Sequence, residues 1–230
     1  MARALRHNGL GLLFFVLFAA ALAGQAVAGH AKYNEEELAH AQLTHEQPQT
    51  YSMGRYVTSS DFAVAVAENW QSEYLQFALF ILAGIYFVQR GSTESKTLDA
   101  AGPESDEEQQ IGRHADSDSP LLARVGGWRT ALYGHSLVLV MGVIFLGSWF
   151  AQSVAGWSEY NDQQAEHMQS TIGWLSYVGS ADFWEATLQN WQSEFLAVGS
   201  MAVFSIYLRQ RGSGQSKPVG AANTETAVEG

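Results

Sequence analysis

Two carboxylates stand at places where charge is costly. Glu73 and Glu194 each close the pentapeptide Asn-Trp-Gln-Ser-Glu, and each is followed at once by an aromatic residue, a leucine and an apolar run. The heptads are NWQSEYL at residues 69–75 and NWQSEFL at residues 190–196, alike at six of seven positions. A carboxylate at the edge of an apolar stretch has two chemistries open to it. It can exchange protons or hold a cation, or it can accept hydrogen bonds that tie elements together. Asn69 and Asn190 lie four residues before the carboxylates, on the same helical face. Trp70 and Trp191 suit a lipid–water boundary. For Glu73 and Glu194 polar glue is the preferred reading, then interface anchoring without pairing, then ion or proton handling; Asn69, Trp70, Asn190 and Trp191 are the polar residues that go with them.

Other chemistry finds little footing. The chain has no cysteine, which excludes disulfides, thiolate catalysis and Cys-ligated metal. His30, His40, His45, His135 and His167 invite a zinc reading, with His40 and His167 near Glu35, Glu36 or Asp162. Their spacing matches no metal motif, and solvated histidines are expected. There is no phosphate loop, no dinucleotide fingerprint and no nucleophile elbow, and no nucleophile–base pair stands out. The chain is therefore expected to be no enzyme and to carry no cofactor or metal. A formal net charge of -11 and a pI near 5.0 argue against nucleic acid as a partner.

The elements that must position these residues are apolar. Four blocks stand out, at residues 10–27, 74–88, 132–154 and 195–208. The first and third are long enough to cross a hydrocarbon core of about 30 Å as helices. The second and fourth are shorter. They reach spanning length by extending backward through the heptad, and each stops at an Arg that can reach the headgroups. The first block follows Arg3 and Arg6 and ends near Ala26-Val27-Ala28, as a signal peptide does. Its counterpart later in the chain ends in AQSVAG, where no signal peptide acts, so the block is expected to remain as a span.

The chain reads as a duplication. Residues 23–40 align with 150–167, sharing V-A-G-x-x-x-Y-N and a later His. YVTSSDF at 56–62 aligns with YVGSADF at 177–183, and VQRGSTESK at 88–96 with RQRGSGQSK at 209–217. The offset falls from 127 to 121, which places six extra residues in the first copy within THEQPQTYSM. Each copy reads as helix, polar loop, amphipathic lead-in, heptad, helix and QRGS. Asp61 or Ser60 is expected to cap the first lead-in and Asp182 the second, with the chain bending into the membrane at the heptad. Two copies with an even number of spans enter from the same side and give parallel repeats.

Basic residues then fix the topology. Arg3, Arg6, Arg90, Lys96, Arg113, Arg124, Arg129, Arg209, Arg211 and Lys217 fall on one side, and Lys32 and Arg55 on the other. That bias puts both termini in the cytoplasm. The outer loops, residues 29–69 and 156–190, hold most of thirteen acidic side chains, Glu46 among them. Ser-, Gly- and acid-rich residues between the copies have no apolar face to bury and read as a disordered tether.

The V-A-G-x-x-x-Y-N segment, the NWQSE[FY]L heptads and the QRGSxxSK endings resemble a bacterial family of small, uncharacterised integral membrane proteins, a domain of unknown function. The likeness covers residues 5–98 and 128–217. It implies a duplicated two-span unit in the cell (inner) membrane and no assigned activity. His30 stands where the second copy has Trp157, and Trp is the commoner family form. The expected architecture is all-α: four transmembrane helices from two parallel two-span repeats, with interfacial amphipathic helices. Residues 1–98 form the first repeat, 99–127 an acidic disordered linker, 128–217 the second repeat and 218–230 a disordered tail. The bilayer is the expected partner, together with a membrane protein or a second copy of the chain. The expected role is structural or partner-binding, with a small cation or proton transporter using Glu73 and Glu194 as the alternative.

Overall fold

The computed structural model describes residues 7–45 and 47–228; Arg3, Arg6 and Glu46 lie outside the described residues. The architecture is all-α, with no strand among them. Four long helices carry the fold. They are α1 (Gly9–Thr44), α3 (Ser60–Tyr86), α6 (Ser136–Glu166) and α8 (Ala181–Tyr207). Between them lie the short helices α2 (Met53–Tyr56), α4 (Leu121–Arg124), α5 (Gly127–Gly134) and α7 (Trp174–Val178). The chain forms two compact units. One comprises Met1–Val66 and Ala151–Trp174, the other Ala67–Phe150 and Leu175–Gly230. Each unit takes residues from both halves of the sequence.

Two helices, α1 and α6, are long and apolar enough to cross a membrane, and in α1 none of the apolar window is buried. Four spans are expected from the sequence, so α3 and α8 fall short of that measure. The reason is local. Any 18-residue stretch of either helix takes in polar residues of the heptad or of the lead-in before it, which lowers the average.

The polar segments after the first and third blocks are less loop-like than expected. Helix α1 has 36 residues, about 54 Å of helix, so it continues well past its apolar stretch. Helix α6 likewise continues to Glu166. Glu, Ala, Leu and Gln in NEEELAHAQLT are strong helix formers with no Gly or Pro among them. Left-handed residues mark the ends: His45 at φ 59° after α1 and Met168 at φ 54° after α6.

The lead-in and the fourth block form one unbroken helix in each half. Helices α3 and α8 both have 27 residues and run through the heptad without a break. The lead-in therefore runs into the following block with no break in the helix, because Asn-Trp-Gln-Ser-Glu contains nothing that interrupts one. The caps also sit earlier than expected. Ser59 Oγ accepts the Phe62 N–H at 3.4 Å and Ser180 Oγ accepts the Phe183 N–H at 3.3 Å. Asp61 and Asp182 stand in the first turn, where a negative charge meets the positive end of the helix dipole.

After α3 and α8 the QRGS segments fold into matching turns. Gly91 and Gly212 adopt φ 86° and 81°. Ser95 Oγ accepts the Gln89 N–H at 2.7 Å, and Ser216 Oγ accepts the Gln210 N–H at 2.8 Å. Residues 221–227 lie against both turns. Thr226 Oγ1 accepts the Gly91 N–H at 2.9 Å, the Ala227 N–H donates to Ser92 O, and Arg209 donates to Ala221 O. Lys217 is 1% exposed and donates to Asn223 O at 3.1 Å. Burial and the neighbouring Arg209 guanidinium push its pKa down.

Candidate functional site

The two V-A-G-x-x-x-Y-N segments build the same polar clasp. In the first, Asn34 Oδ1 accepts the Tyr51 N–H at 2.7 Å and Asn34 Nδ2 donates to Tyr51 O at 3.0 Å. In the second, Asn161 Oδ1 accepts the Ile172 N–H at 2.9 Å and Asn161 Nδ2 donates to Ile172 O at 3.0 Å. A carboxamide is a peptide group in miniature, so one Asn satisfies both backbone groups of one residue. Each clasp holds the chain that returns from a long helix toward the next.

The residue directly after V-A-G, three before the Tyr, adds a third contact to the same carbonyl. Trp157 Nε1 donates to Ile172 O at 2.7 Å, and His30 Nε2 lies 2.7 Å from Tyr51 O. His30 Nε2 also lies 3.0 Å from Asn34 Nδ2, so it donates to Tyr51 O in the tautomer protonated at Nε2 and accepts from Asn34 in the other. His and Trp occupy equivalent places, each with a ring nitrogen 2.7 Å from the clasped carbonyl. The repeated Tyr-Asn dipeptide is visible in the sequence, but the partners of Asn34, Asn161 and Trp157 are visible only in the fold.

The YVxSxDF segments carry a matching aromatic pair. Tyr56 and Tyr177 are buried. Their rings meet Phe62 and Phe183 with centroids 5.6 Å and 5.7 Å apart, which accounts for the repeated Tyr and Phe of YVTSSDF and YVGSADF. A methyl group at Gly29 would overlap the Tyr56 hydroxyl, so the Gly of V-A-G is required by a close approach in the first copy. Tyr33 stacks on Tyr51 at 4.3 Å, and the Arg55 guanidinium lies 4.0 Å from the Tyr51 ring centroid. Burial, then the Tyr51 hydroxyl, raises the Tyr33 pKa well above the usual phenol range. Burial, then Asp61 and Glu159, raises that of Tyr56. Both phenols are therefore held neutral.

The heptads meet through a bond the sequence did not suggest. Trp191 Nε1 donates to Gln71 Oε1 at 2.7 Å, which joins the second heptad to the first. Gln71 is fully buried, and its Nε2 finds no partner among the described residues. Asn190, expected to pair with Glu194, donates to Ala186 O of its own helix at 2.8 Å. Ser72 and Ser193 donate back to Asn69 O and Asn190 O. Glu73 is exposed, Glu194 is half-buried, and the two lie within electrostatic reach of each other. Trp70 is 39% exposed.

Trp149 is the centre of an aromatic cluster. Phe145, Phe183, Trp184 and Trp191 surround it with centroids 5.7 to 6.0 Å away. Its Nε1 donates to Thr187 Oγ1 at 3.3 Å, and Thr187 is fully buried. The first copy has Leu22 and Ala63 where the second has Trp149 and Trp184. The cluster therefore has no full counterpart among the aligned residues of the first half.

His167 Nδ1 lies 2.7 Å from Gln163 O. Among the described residues no group of three His, Asp or Glu side chains is placed to hold a metal ion.

Against this geometry the comparisons with known proteins return one likeness. The model of a family described as a domain of unknown function (DUF6766) matches residues 1–228. The chain belongs to the DUF6766 family. No curated protein and no solved structure matches it. In this DUF6766 chain, then, what can be said of function rests on the clasps, the heptads and the exposed apolar helices.

Proposed function

We propose that the chain is a four-span integral protein of the bacterial inner membrane, built from two parallel two-span repeats, with a structural or partner-binding role. The observation that carries this reading is the pair of Asn clasps. Polar side chains near the expected outer boundary are engaged in fixing backbone at equivalent places, not in lining a path. Three further facts support it. The apolar face of α1 is open, with Leu10 73% exposed, as a lipid-facing helix requires. Helices α3 and α8 begin and end at positions separated by the same 121 residues. The basic residues gather at the expected cytoplasmic ends. The partner is the bilayer, with a membrane protein or a second copy as the protein partner.

Topology is tested with single cysteines, since the chain has none of its own. Cysteines at positions 45 and 165 are expected to react with an impermeant maleimide in intact cells, and one at 105 only after lysis. Labelling at 105 in intact cells overturns the arrangement.

The proximity of Glu73 and Glu194 favours one second reading, a cation or proton path. Reconstituted vesicles are expected to show no specific flux that depends on these carboxylates. A flux present in the wild type and lost in Glu73→Gln/Glu194→Gln would replace the structural role with transport.

A further inference from the structure

One surface is left over by everything above. Helices α4 and α5 form a small hairpin directly before α6. Gly126 and Gly127 both take positive φ, 74° and 65°, and reverse the chain. Thr130 Oγ1 donates to Leu122 O at 2.7 Å and closes the hairpin. Ala123 and Thr130 are buried within it. Its larger apolar side chains point the other way: Leu121 is 67% exposed, Val125 46% and Trp128 71%. Trp128 and Leu132 are four apart and share a helix face. A rigid element with its apolar side chains turned out needs an apolar occupant.

The charges say which occupant. Residues 99–118 carry seven acidic side chains, yet none occurs from 119 to 158. Within that acid-free stretch the hairpin carries Arg124, which donates to Ser117 O at 3.2 Å, and Arg129. The Arg129 guanidinium lies 5.6 Å from the Trp128 ring centroid. Trp with Arg among leucines is the composition of an element lying in a headgroup layer. The hairpin also leads within two residues into α6, an apolar helix of spanning length. A chain with a net charge of -11 would otherwise be repelled by anionic lipid.

We propose that the α4–α5 hairpin is an anchor for anionic lipid, lying in the headgroup layer at the entry to α6. Its apolar side chains enter the acyl boundary, and Arg124 and Arg129 meet the lipid phosphates. The proposal rests on the membrane reading given above and adds to it a lipid class and a depth.

The test uses the full chain in phosphatidylcholine vesicles with and without phosphatidylglycerol. Leu121→Cys, Val125→Cys and the reference Asp106→Cys are labelled with a nitrobenzoxadiazole dye, and quenching by aqueous dithionite is followed. Labels at 121 and 125 are expected to be quenched several-fold more slowly than at 106. The protection should be greater with phosphatidylglycerol, and Arg124→Gln/Arg129→Gln should remove that gain. Quenching at 121 and 125 as fast as at 106, in chains that float with the vesicles, overturns the anchor and assigns the face to a protein. Equal protection with and without phosphatidylglycerol overturns the anionic preference. Chains that do not float at all refute the membrane reading itself, a separate outcome.

Discussion

Asn161→Ala is expected to lower stability in detergent by about 2–4 kcal/mol. The variant loses two hydrogen bonds, each with a net value of about 1 kcal/mol, and leaves the half-buried Ile172 N–H short of its partner at about 1–3 kcal/mol, while the Ile172 carbonyl keeps Trp157. For a chain of this size that corresponds to a fall in Tm of about 4–16 °C. Asn161→Asp keeps an acceptor for the Ile172 N–H and loses the donor to its carbonyl, so its Tm should lie between. Asn34→Ala should act in the same direction, because Asn34 makes the same two bonds to Tyr51. His30→Trp should be tolerated far better than His30→Ala, since the indole restores an N–H aimed at the Tyr51 carbonyl. Thermal unfolding of purified protein, followed by circular dichroism, checks the series. Wild-type Tm in both Asn→Ala variants would mean the clasps do not hold the returning chain.

Trp191→Ala is expected to be the most damaging single change in either heptad. The indole packs against Phe145, Trp149 and Phe195 and donates to Gln71. Truncating a packed Trp typically costs about 3–5 kcal/mol. Here Gln71, already fully buried with one unmet donor, would also lose its acceptor bond. Trp70→Ala should cost clearly less, because Trp70 is more exposed. Two perfectly symmetric heptads would require equal losses, so the difference measures how far the second copy has taken over the core. Trp191→Phe separates the contributions: it keeps an aromatic ring and deletes the N–H, and should cost about 1–2 kcal/mol. Equal unfolding temperatures for Trp70→Ala and Trp191→Ala would show that the Trp149 cluster does not dominate.

The sequence by itself determined the helical class, the apolar helices α1 and α6, and the paired motifs. These depend on local rules: continuous apolar runs and helix formers without Pro. It also marked the residues that recur, including Tyr-Asn, the Tyr and Phe of the YVxSxDF segments, and QRGSxxSK. What each recurring residue touches was decided by tertiary structure. Asn34 and Tyr51 are 17 residues apart, and Trp191 and Gln71 are 120 apart. No periodicity carries information over such separations. The Asn–Glu pairing expected at residues 190 and 194 was sound as a matter of helix spacing, yet Asn190 donates to the nearer Ala186 carbonyl. The bend expected at the heptads came from treating a polar pentapeptide as a boundary. Backbone hydrogen bonds continue through it because nothing there lacks an N–H or needs a left-handed conformation. Only the folded chain shows that Gly29 is small for Tyr56, and that Trp149 gathers four rings around it. Side-chain packing is a property of neighbours in space, and the linear order of residues does not supply those neighbours.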